Sequence, residues 1–149
     1  MVKDRLIAGG LAGATGAIIQ NIYGHTAKAI GITDRAFMDF AKVLLTFKPY
    51  QGVLAFIVGQ ISHYLVGVLL GIIFVYIIML TSSRYLVWKG LGYGAILWVL
   101  LLGFGTIFRL PLFMNIPPGP ALSVFVGALI YGLVTAYTLS LLEKRTRLL

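Results

Sequence analysis

Apolar residues dominate four stretches of the chain, from about Leu6 to Ala29, Gly52 to Leu80, Leu86 to Leu110 and Leu122 to Leu142. A helix crosses a bilayer with about 20 mostly apolar residues, and each stretch is long enough. The pattern predicts an all-α polytopic membrane protein with four transmembrane helices. Together they use most of the chain, so residues 1 to 149 read as a single four-helix transmembrane domain.

A different periodicity fills the first connection. Between Thr33 and Phe47, Phe37, Phe40, Leu44 and Phe47 recur at spacings of three and four, while Asp34, Arg35, Asp39 and Lys42 fall largely off that stripe. This predicts an amphipathic helix over about residues 33 to 47, lying in the membrane interface. Thr33 or Asp34 is its expected N-cap. Phe37, Phe40 and Phe47 should sink toward acyl chains while the charges stay wet. Thr81-Ser82-Ser83-Arg84 is short and polar, so the second and third spans should form an antiparallel hairpin. Pro111 and Pro117-Pro118-Gly119-Pro120 break the chain before the fourth span, because proline removes a backbone donor. Lys3 and Arg5 precede an apolar run that ends in Ala27-Lys28-Ala29, an outline shared with signal peptides. Gln20, Asn21 and His25 interrupt that run, and it reads as a retained first helix.

Composition excludes an ordinary soluble enzyme. Apolar residues make up 60% and charged residues 11% of the chain, and mean hydropathy is +0.99, whereas soluble domains carry roughly 25% charged residues. The net charge of +8 comes from 12 basic and 4 acidic residues. Bases so thinly spread mark the headgroup-facing ends of spans, and no nucleic-acid-binding module is present. An inside N-terminus places Lys3, Arg5, Arg84, Lys89, Lys144, Arg145 and Arg147 in the cytoplasm, and Lys28, Arg35, Lys42, Lys48 and Arg109 outside. That bias favours a prokaryotic cytoplasmic membrane with both termini in the cytoplasm, and its small size leaves dual topology open. Trp88 and Lys89 suit interfacial anchoring. With no cysteine there is no disulfide framework or thiolate site.

Small residues form stripes: Gly9, Gly13 and Gly16 in the first span, Gly67 and Gly71 in the second, Gly90 and Gly94 in the third, and Gly127 with Gly132 in the fourth. Such stripes let helix backbones approach closely where lipid gives no hydrophobic force between helices. They suit packing within the chain first, and a homo-oligomer or another membrane subunit second.

Polar residues inside spans are costly, and they are where function is sought. Asn21 and His25 are one turn apart, and Gln60 and His63 are three apart, on a stripe continued by Gly67 and Gly71. Gln20, Asn21, His25, Gln60, His63 and Arg109 are the candidates for a polar cavity in the outer half of the bundle, although Arg109 suits anchoring to outer-leaflet phosphates first and the cavity second. The competing expectation is that they hydrogen-bond between helices and fix register. Asp4, Glu143, Asp34 and Asp39 all lie outside the spans. A proton or cation relay ordinarily needs such groups inside, so a transported solute would be neutral or anionic.

Catalytic and cofactor chemistry finds little footing. Haem held by His25 and His63 needs imidazoles at matching depth, and these differ by about 8 Å at 1.5 Å per residue. Two histidines without nearby carboxylates make no metal site. Ser62 and His63 point about 100° apart on a helix, which is poor geometry for a nucleophile and its base. Gly9-Gly10, Gly13 and Gly16 follow no strand and are no dinucleotide fingerprint. The sequence therefore implies no cofactor and no enzyme.

Two resemblances accompany these patterns. Trp88-Lys89-Gly90, Gly94 and Trp98, with the loop from Pro111 to Pro120 and with His63, Gly67 and Gly71, resemble small uncharacterised bacterial four-helix integral membrane proteins. That resemblance implies a fold and no activity. Ile7 to Gln20, with Gly9-Gly10 and Gly13, is similar to the first helix of fluoride channels, which are short four-helix chains working as dual-topology dimers. The third-helix break of those channels has only a distant echo in Gly103-Phe104-Gly105-Thr106, and the long amphipathic connection departs from their pattern. The leading expectation is a packing or accessory component of a membrane assembly. The alternatives are a small oligomeric transporter or channel for neutral or anionic solutes and, more remotely, a haem-binding subunit.

Overall fold

The computed structural model describes residues 4 to 146, with side chains as far as Glu143. Among the described residues there are five helices and no strands: α1 (Arg5–Ala29), α2 (Phe37–Thr46), α3 (Val53–Thr81), α4 (Leu86–Ile107) and α5 (Pro118–Thr146). Four of them, α1, α3, α4 and α5, are long and apolar enough to cross a membrane. Lys3 and Arg147, and the side chains of Lys144 and Arg145, which entered the charge bias, lie outside the described residues.

Local chemistry sets the helix ends. The Asp4 carboxylate accepts from the Leu6 and Ile7 N–H groups at 2.8 and 3.2 Å, which caps α1. At its other end Gly31 adopts φ +78°. The Gly31 N–H then bonds Lys28 O at 3.2 Å and the Ile32 N–H bonds Ala27 O at 2.9 Å, a Schellman closure. α4 closes in the same way three residues short of the expected end: Arg109 N–H bonds Thr106 O and Leu110 N–H bonds Gly105 O, before Pro111 could continue the helix. α5 begins earlier than expected, at Pro118. Proline fits the first turn of a helix, where its missing N–H has no intrahelical partner to lose.

The helices are arranged in the order α3, α1, α5, α4, each antiparallel to the next, with α2 laid against α3. The small-residue stripes make these seams. Gly9 and Gly13 meet Gly71, and Gly13 also meets the Gly67 carbonyl. Gly16 meets Tyr131 and Thr135, while Gly90 and Gly94 meet Gly132 and Ala128. A Cβ on Gly9 would stand 2.9 Å from Gly71 O, and one on Gly13 would stand 2.8 Å from Gly71 Cα. The main chains are therefore in direct van der Waals contact. Gly127 takes another role, facing the Phe37 ring and Tyr23 instead of a helix backbone. The second and third spans are consecutive and antiparallel as expected, yet each packs its backbone on another helix. They touch through side chains: Tyr93 OH donates to Leu70 O at 2.7 Å, and its ring lies 5.0 Å from that of Phe74. Lys89 Nζ closes the turn between them by donating to Ser82 O at 2.7 Å and Thr81 Oγ1 at 3.0 Å.

α2 corrects part of the sequence reading. The helix is present, but its polar side is not wet: Lys42 is 3% and Asp39 7% exposed. The reason is that α3 covers one flank and Lys28 of α1 reaches the carboxylate. Phe37 and Phe40 face protein, not lipid, and pack with Val43, Leu110, Phe113 and Val124, whereas Phe47 is exposed. The N-cap is Ala36, whose N–H donates to Asp39 Oδ2 at 2.9 Å. Thr33 instead accepts from the Arg35 N–H at 3.3 Å.

Candidate functional site

The polar side chains of α1 and α3 meet near the end of the bundle that α2 covers. Asn21 Nδ2 donates to Gln60 Oε1 at 2.8 Å and to Tyr64 OH at 2.9 Å. Gln60 Nε2 in turn donates to His25 Nε2 at 3.3 Å. Helical spacing explains the convergence, since Asn21 and His25 stand one turn apart, as do Gln60 and Tyr64. His63, on the same helix, donates from Nε2 to the Ala17 carbonyl at 3.2 Å, and its ring lies 6.1 Å from Phe37.

Of the six residues expected to share a cavity, Asn21, His25 and Gln60 form one connected cluster. His63 is buried beside it on a separate bond, and Gln20 is buried without joining its hydrogen bonds. Arg109 is not part of the cluster: it stands exposed at the end of α4. The helix that would have carried it inward stops at Ile107 and turns. Tyr64 joins the cluster without being among the expected residues, although its place four residues after Gln60 signals it. The Asn21 Oδ1 and Thr135 Oγ1 atoms are buried with no hydrogen-bond partner. A buried acceptor left open costs about 1–3 kcal/mol.

A second polar group, not expected from the sequence, joins α1 to α2. Asp39 accepts from Lys28 Nζ at 2.9 Å and from Lys42 Nζ at 3.4 Å. Burial pushes the Asp39 carboxyl up, but the Ala36 N–H and the two ammonium groups outweigh it and hold the carboxyl below the ordinary carboxylate range. Arg35 makes a longer reach. It pairs with Asp34 at 2.6 and 2.7 Å and donates to Leu112 O at 2.6 Å, tying the link before α2 to the link before α5. The Arg35 hydrogen bonds hold the Asp34 carboxyl low as well.

Elsewhere in the spans, polar groups bond across helices to backbone carbonyls. Tyr131 OH donates to Gly67 O at 2.7 Å and Trp98 Nε1 donates to Ala121 O at 3.1 Å. His25 and His63 each engage Nε2 in separate bonds, with Gln60 and with Ala17 O. Among the described residues no cluster of three or more His, Asp or Glu could hold a metal ion. Comparison with known proteins finds no matching family model, and no curated protein or solved structure significantly similar to the chain.

Proposed function

We propose that this protein is a non-catalytic membrane component of a prokaryotic cytoplasmic membrane, with both termini in the cytoplasm, that serves as a packing or accessory subunit of a membrane assembly. The observation that carries this reading is the use made of the intramembrane polar groups. Asn21, Gln60 and His25 bond one another, and His63, Tyr93, Tyr131 and Trp98 bond backbone carbonyls. Such bonds hold a bundle rigid. The faces of α3 and α4 carry Leu65, Leu69, Val99 and Leu100 outward, available to lipid, to a second copy or to another subunit. The test is photo-crosslinking in native membranes from Leu69 and Val99, followed by gentle detergent extraction. A discrete crosslinked complex is expected. A clean monomer with no crosslinked species overturns the reading.

One observation favours a second reading, a small oligomeric transporter for a neutral or anionic solute. Asn21 Oδ1 is a buried acceptor without a partner, beside Gln60. That reading expects flux in liposomes that falls with Gln60→Ala and His63→Ala. It fails if no flux is found, or if both variants conduct as the parent does.

A further inference from the structure

The ends of α2 and α4 meet at a half-open groove of about 220 Å³, lined by Leu44, Phe47, Phe104, Phe108 and Leu110. Its walls are almost wholly hydrocarbon. Two exposed cations adjoin it in the chain: Arg109 lies between the lining residues Phe108 and Leu110, and Lys48 follows the lining residue Phe47. Neither is paired with a carboxylate among the described residues. The groove lies where two helices end, at the depth where hydrocarbon gives way to headgroups if α4 spans the membrane.

The backbone turn at the end of α4 places one of these cations. α1 and α4 end in the same Schellman turn, which needs one residue at positive φ. In α1 that residue is Gly31, at φ +78°, and in α4 it is Arg109, at φ +50°. Glycine takes this conformation without steric cost and arginine does not. The favourable interaction of a cation with a helix C-terminus offsets part of the cost. Phe47, Tyr85, Leu112 and Asn115 also take positive φ, so the conformation alone assigns Arg109 no role; what the turn does is set an exposed cation between two residues of the groove wall.

We propose that this groove is a binding site for an anionic phospholipid, with an acyl chain against Phe104, Phe108, Leu110, Leu44 and Phe47 and the headgroup phosphate held by Arg109 and Lys48. A phosphodiester matches the guanidinium fork, and a chain of methylenes matches the apolar walls. A zwitterionic lipid offers the same chain but no net charge to the two cations.

The test is native mass spectrometry of the full chain, released from detergent after titration with phosphatidylglycerol or with phosphatidylcholine of the same acyl chains. Phosphatidylglycerol should be retained over phosphatidylcholine, by about fivefold for each cation engaged. Arg109→Gly is the informative variant, because it removes the charge and suits the turn. It should lower the preference about fivefold with an unchanged or higher Tm, and Arg109→Lys should restore much of the preference. Leu44→Trp, which fills the groove, should reduce retention of both lipids. Equal retention of the two lipids overturns the proposal, as does an unchanged preference in Arg109→Gly. Competition by inorganic phosphate as effective as that by phosphatidylglycerol would also overturn it, by showing that the apolar groove plays no part.

Discussion

Lys42 and Asp39 lie one turn apart on α2, with 3.4 Å between Nζ and Oδ1, and both are buried. The carboxylate is shared with Lys28, so one anion serves two cations. Removing the anion leaves the buried Lys42 ammonium at low dielectric with nothing to balance it, whereas Lys28, 42% exposed, keeps its water. Asp39→Asn should therefore destabilise the protein by about 3–5 kcal/mol, the usual cost of breaking a buried pair. Adding Lys42→Met should recover a large part of that loss. Chemical denaturation in detergent checks both, and an Asp39→Asn variant as stable as the parent would refute the electrostatic account.

The same carboxyl sets an acid limit. Its pKa in the folded protein is below the ordinary value of 3.8, so the folded state binds the proton less well than the unfolded state does. Its stabilising contribution is complete above the unfolded pKa and disappears as pH falls through the lower, folded value. Stability should be flat near neutrality and drop only in strong acid, and Asp39→Asn should flatten part of that drop. Denaturation midpoints recorded from neutral pH into strong acid provide the check.

Gly71 faces the Gly13 and Gly9 backbones with no room for a side chain. Gly71→Ala should cost about 1–3 kcal/mol, because a helix must move to admit the methyl group. Gly103 has open space around it, and Gly103→Ala should be neutral or stabilising by up to about 1 kcal/mol through helix propensity. Thermal unfolding of the two variants side by side separates seam glycines from incidental ones. Similar losses for both would mean that close approach at the α1–α3 seam is not what matters.

The Asn21–Gln60 bond is expected to contribute about 0.6 kcal/mol, and at most about 1.7, as interhelical bonds in membranes do. A double-mutant cycle with Asn21→Leu and Gln60→Leu measures it. Asn21→Leu also removes the unpartnered Oδ1, so its own cost should be smaller than that of Gln60→Leu, which leaves that atom open and takes one partner from Asn21 and one from His25. The reverse order would contradict the assigned orientation of the Asn21 amide.

Much of this was legible in the chain. Length and apolarity located four helices, and small residues four apart identified the faces that meet. Asn21, His25 and Gln60 could be grouped because helical spacing puts them on common faces. Three things were not legible. Every span carries a small-residue stripe, so the sequence could not choose the order α3, α1, α5, α4 over the order of the chain. The polar side of α2 looked solvated because its partner, Lys28, belongs to another helix. Arg109 stayed open between an interfacial anchor and the cavity because its left-handed turn, which ends α4 early, is one that sequence ordinarily signals with glycine.

The Phe37 ring sits against Gly24 of α1, His63 of α3 and Gly127 of α5 at once. Its seat therefore does not exist until the last helix has been made and has joined the others. α1 and α3 can supply two of its walls, and the cover over Asp39 and Lys42, before α5 is made, but Gly127 supplies the third. One aromatic ring on the shortest helix thus registers whether the first, third and last helices have come together.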